Sequence, residues 1–227
     1  MRATIGVILL LLVWNTARTQ EIKGAISYKY LYAKQWDKAI QTYNFSRPFM
    51  TELQPLIQHG VNASLSYTFK TSKKLKQGIQ LSYSKFRSSA ENVELDNTLN
   101  LHLLNPGYLL HYDIQENAQG LYTDIILSAS LSGLFRKVNG EKIEFDETKA
   151  KSFGIGGDLN WVLGYTLPLK NKMDLSPYIS LAYTPYHFAP NHEVLINQTK
   201  TLASRSWTRI LTAQIGLSIH FRSAEKE

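Results

Sequence analysis

The stretch that decides the fold is WTRILTAQIGLSIHFR, residues 207–222. Successive side chains of a β-strand point to opposite faces. Here the odd positions are Trp207, Arg209, Leu211, Ala213, Ile215, Leu217, Ile219 and Phe221; the even ones include Thr208, Thr212, Gln214, Gly216, Ser218, His220 and Arg222. One face is oily and ends in aromatics. The other is polar and small. The alternation persists for about sixteen residues, where a soluble strand usually has about five or six and a tilted bilayer-crossing strand needs about nine to eleven.

The pattern recurs along the chain. Ile26, Tyr28, Tyr30 and Tyr32 oppose Ser27 and Lys29; Val61, Ala63, Leu65, Tyr67 and Phe69 oppose Asn62, Ser64, Ser66 and Thr68; Ile79, Leu81 and Tyr83 oppose Gln80, Ser82 and Ser84. Further strands follow at 99–113, 121–135, 153–167 and 175–186. At 99–113 the parity flips: Leu99, Leu101 and Leu103 share one face, but Tyr108, Leu110 and Tyr112 share the other, with Asn105-Pro106-Gly107 between them. A one-residue insertion exchanges the faces of a strand, so a bulge is expected there; two short strands joined by a turn is the alternative. The count is about eight, and the connections alternate long and short. The expected fold is therefore an all-β, closed, antiparallel up-and-down transmembrane β-barrel. Greasy side chains turned inward, as in a soluble sandwich or lipocalin-like barrel, would be the alternative, but the polar faces are rich in Ser, Gly, Asn and Thr, and charge collects in the loops.

Composition agrees with this. The 227 residues suit one all-β domain, and 19% charged with 44% hydrophobic residues is far from a disordered chain. There is no Cys, which excludes disulfides, thiolate nucleophiles and cysteine-held metal clusters. The formal charge of +7 is scattered apart from Lys70, Lys73, Lys74 and Lys76 at a predicted turn, and no nucleic-acid partner is expected. Arg2, the apolar run 5–14 and the polar stretch 15–20 have the anatomy of a secretory signal peptide. Residues 1–19 are expected to be a cleaved leader, 20–222 the barrel and 223–227 a short polar tail.

Gln214-x-Gly216-x-x-Ile219-x-Phe221 resembles the carboxy-terminal signal by which the barrel-assembly machinery recognises its clients, although Phe221 is not terminal here. With the leader and strand layout, nearly the whole mature chain resembles a small bacterial outer-membrane barrel of the OmpA/OmpX/OmpW-like kind, and its tyrosine-rich strands look like those of the Bacteroidota. The resemblance implies the cell outer membrane as location, and outer-membrane lipid and the assembly machinery as partners.

Candidate chemistry is sparse. Lys29, Asp124, Asp158, Asn160, His102 and His111 are expected in the lumen, as a charge-paired plug or as a pathway or acid–base site. An eight-stranded barrel has room for its own side chains or one small ligand. His187, His192 and Glu193 lie in the last long loop and read as solvated. No G-x-S-x-G or H-E-x-x-H motif occurs, and neither catalysis nor a cofactor is expected. The first long connection carries Trp36, Tyr43, Phe45 and Phe49, too greasy to stand free in water; it folds over the barrel mouth or offers an aromatic patch to an envelope partner. The expected role is structural, adhesive or that of an envelope-complex subunit, with a narrow solute channel or a lipid-modifying enzyme as alternatives.

Overall fold

The computed structural model describes residues 20–48, 50–91, 96–115, 120–138, 151–169, 173–186, 192, 195–196 and 208–222. Eight strands close into one antiparallel barrel in sequence order. They are β1 (Gln20–Tyr32), β2 (His59–Lys70), β3 (Leu75–Ala90), β4 (Asn97–Asp113), β5 (Gly120–Val138), β6 (Lys151–Pro168), β7 (Met173–Tyr186) and β8 (Thr208–Arg222), with helix α1 (Lys34–Phe45) between β1 and β2. The expected leader, 1–19, and the tail, 223–227, lie outside the described residues.

The seam is β1 against β8, with Tyr28 opposite Ile215. A walk round paired residues shows the stagger: Glu21, Thr68, Gly78, Leu109, Ile126, Asn160, Ala182, Thr212, then Leu31, ten residues further along β1. That offset tilts the strands and widens the barrel. The oily face points outward. Ile26, Leu65 and Ile215 are each more than 60% exposed, and many of their neighbours are exposed too; among the described residues no helix is long and apolar enough to cross a membrane. Such an exterior has lipid, not water, as its natural solvent, and closure leaves no strand edge unpaired in it.

The bulge expected in β4 is absent. Its pairing with β3 runs from Leu75 opposite Tyr112 to Ala90 opposite Asn97 without a slip. Asn105 and Pro106 open a gap in the β5 ladder, yet the register beyond is unchanged. Pro106 can donate no ladder bond, and that alone accounts for the gap. The parity flip has another cause: the interior changes character. Leu99, Leu101 and Leu103 point inward like Asn105, Leu109 and His111, and all are buried. Toward the loop end of β3 to β6, the end of the barrel that carries α1, apolar residues such as Phe86, Leu99, Leu101 and Leu134 turn inward, and Lys85, Asn100, Lys137 and Lys151 turn outward. Toward the turn end it is the reverse.

Candidate functional site

The lumen is filled in three storeys. Nearest the turn end is a charged layer. Lys23 Nζ donates to Asp124 Oδ2 at 2.8 Å and lies 4.6 Å from the Tyr122 ring centroid. His111 bridges Asp124 and Asp113 at 2.6 and 3.0 Å. Glu21 receives Lys76 at 2.9 Å and lies 2.6 Å from His220 Nδ1. Lys23, Asp124, Glu21 and Lys76 thus each have an opposite partner, the condition under which desolvation is offset. Strand spacing builds this layer: His111 and Asp124 are directly opposed across β4 and β5.

Four interior rings lie over glycines on the strand directly opposite: Tyr122 on Gly164, Tyr178 on Gly216, Phe86 on Gly60 and Tyr186 on Gly156. A Cβ at Gly164 would come within 2.3 Å of Tyr122 Cζ, and one at Gly216 within 2.8 Å of Tyr178 Cζ. Gly216, expected as part of an assembly signal, therefore also has a packing role. Gln214 faces the lumen, while Ile219 and Phe221 face outward.

The middle storey is polar, with fewer ionisable groups. Ser27 donates to Gln214 at 3.1 Å, Lys29 to Ser84 at 3.3 Å, Ser84 to Asn62 at 2.9 Å and Ser128 to Asp158 at 3.1 Å. Lys29 and Asp158 are buried there, with no carboxylate of the described residues within ion-pair distance of Lys29. Asn160 also faces inward, its Oδ1 without a partner. The cavity among these residues is about 30 Å³, enough for about one water.

The mouth storey is apolar. Helix α1 presents Trp36, Ala39, Ile40 and Tyr43, spaced three and four apart on one face, and all are buried. Asp37 in the first turn complements the helix N-terminus. Trp36 and Ile40 pack among Leu31, Phe86, Leu99, Leu101 and Leu134. Two described pieces of the last long connection join them. Arg136, 2% exposed, donates through Nη1 to the carbonyls of Leu195 and Ile196 at 3.1 and 3.3 Å, and through Nε to Asn97 Oδ1 at 2.9 Å. His192 is wholly buried, within hydrogen-bond reach of Ser132 at 3.0 Å and of Ser152. Burial pushes its pKa down to about 4, so the ring is neutral at physiological pH.

These positions alter several expectations. His111, Asp124, Lys29, Asp158 and Asn160 do line the lumen, but in two storeys. His102 does not: it faces outward, 2.6 Å from the Tyr83 hydroxyl, because the parity of β4 never breaks. His192 is not solvated. Trp36 and Tyr43 are unavailable to a partner, whereas Phe45 is 89% exposed. Phe49, His187 and Glu193 lie outside the described residues. In the sequence Arg136 reads as the start of a charged loop; its even-numbered place on the inward parity of β5 is the signal that it faces the lumen. Among the described residues no group of three or more His, Asp or Glu is placed to hold a metal.

No family model and no curated protein matches the sequence. Solved structures of similar fold include Ail, the attachment invasion locus protein of Yersinia pestis (13% identity, 89% of this chain and 99% of that one, TM-score 0.48). Neisserial surface protein A is another (9% identity, 90% and 97%, TM-score 0.47). A third is the outer membrane protease OmpT of Escherichia coli (6% identity, 90% and 96%, TM-score 0.42). Likeness at this level concerns the fold, which does not select an activity. What the chain itself shows is a closed, eight-stranded, antiparallel up-and-down β-barrel with an oily exterior.

Proposed function

We propose that this chain is an integral outer-membrane barrel that neither conducts nor catalyses, and that it acts through its outer surface and loop end as a structural element, adhesin or envelope-complex subunit. The observation that carries the reading is the filled lumen: a paired charged layer, a middle storey with about 30 Å³ of free space, and a mouth stoppered by α1 and by the segment that Arg136 holds. A hydrated ion or solute passing through would have to displace all three. The exposed Phe45 beside the stopper is the natural contact for a partner at the loop end.

Four measurements test this. The unboiled protein should migrate differently from the boiled one on a gel and should fractionate with the outer membrane. In planar bilayers it should give no reproducible conductance steps; regular steps that vanish in a Lys29→Met variant would replace the reading with a narrow channel. Photo-crosslinking from position 45 should capture a discrete envelope protein if the subunit role holds.

A further inference from the structure

The outer wall of β3 to β6 carries a feature that the stoppered lumen does not use. On each of these strands an aromatic faces outward near the loop end: Tyr83, His102, Phe135 and Phe153. They form a continuous row, with ring centroids 5.9 Å apart from Tyr83 to His102, 5.3 Å from His102 to Phe135 and 6.1 Å from Phe135 to Phe153. One outward-facing position further toward the loop end stand Lys85, Asn100, Lys137 and Lys151, and Arg87 stands one position beyond Lys85. Together these residues line a cleft of about 940 Å³. No carboxylate of the described residues pairs with any of the four cations. Toward the turn end the same wall continues as Leu81, Leu104, Leu131 and Ile155, all exposed. On the opposite wall the described outward residues near the loop end include Tyr28, Tyr30 and Tyr32 on β1, His59 on β2, Tyr183 on β7 and Leu211 on β8, and the described cations beyond them are two, Arg209 on β8 and Lys34 at the start of α1, against four here.

We propose that this wall binds a phosphate-bearing lipid of the leaflet at the loop end. Its phosphates meet Lys85, Arg87, Lys137 and Lys151, its sugar or glycerol backbone lies along the aromatic row, and its acyl chains cover the leucines below. The proposal deepens the outer-membrane reading above and rests on it. Cations just above an interfacial aromatic row attract anionic headgroups, and a guanidinium takes phosphate through paired hydrogen bonds. A soluble anion would use the cations but not the aromatic row or the alkyl wall. The vertical order of charge, ring and hydrocarbon matches an amphiphile.

The test embeds the full mature barrel in phosphatidylcholine nanodiscs doped with bisphosphorylated lipid A or with its dephosphorylated form, and reads lipid retained per barrel by native mass spectrometry. The bisphosphorylated form should be retained in preference. K85Q/K137Q should weaken retention by roughly thirty-fold, whereas R209Q on the opposite wall should leave it unchanged. Heat-modifiability of each variant verifies that the barrel is intact. Equal retention of the two lipids, an unaffected double variant or full displacement by millimolar inorganic phosphate would overturn the lipid site while leaving the membrane barrel standing. A wild-type chain that stays out of the nanodiscs would overturn the placement, and the lipid site with it.

Discussion

At the scale of single residues, the interior depends on a few pairings whose loss has a calculable sign. Gly164→Ala would push a methyl into the Tyr122 ring. Overpacking of this kind costs about 1–3 kcal/mol, read as a lower urea midpoint in micelles. Asp124→Asn leaves Lys23 buried beside a neutral group. Breaking such a pair costs about 3–5 kcal/mol, whereas replacing both partners by apolar residues is often close to neutral. K23M/D124L should therefore unfold later than D124N alone in the same titration. His192 adds a pH dependence. Released into water, its ring would titrate near 6.5; docked, it titrates at about 4. The docked, neutral form is thus favoured above pH 6.5, and docking weakens as pH falls from 6.5 toward 4, below which the loss levels off. Proteolysis of the last long loop should accelerate across that window, and His192→Gln should flatten the profile.

At the scale of elements, α1 was legible but unread. Trp36, Ala39, Ile40 and Tyr43 have helical spacing, yet the greasy character of the connection drew notice and its period did not. The β4 parity flip suggests an inserted residue, but its register with β3 runs unbroken. Alternation reports which positions are oily; it does not report whether the oil faces lipid or a stopper. Once Leu99 and Leu101 are known to pack against α1, the flip follows without any insertion. Removing the anchor tests the element. Trp36→Ala should cost about 3–5 kcal/mol of mouth packing and expose the first connection to protease. Conductance should stay absent, because the charged layer near the turn end is untouched.

At the scale of the whole molecule, the barrel was legible because eight strands repeat one binary pattern, and their outward sides contain few charges until the loop end. The storeys of the lumen were less so. Which polar residues meet depends on the ten-residue stagger, and no single strand encodes it. The exterior makes the last prediction. Leu159 is exposed in the lipid-facing belt, so Leu159→Arg should destabilise the barrel by about 2–4 kcal/mol if the site lies near the bilayer midplane, measured as a lower midpoint for heat-modified migration in lipid vesicles. The same substitution would be nearly silent on a water-facing wall.

The reversal of polarity along β3 to β6 also works as a waterline. Sunk deeper, the molecule would drag Lys85, Lys137 and Lys151 into hydrocarbon; raised, it would lift Leu104 and Leu131 into water. Either displacement is uphill, so the barrel floats at one draught, and a bilayer of a different thickness has to deform around it.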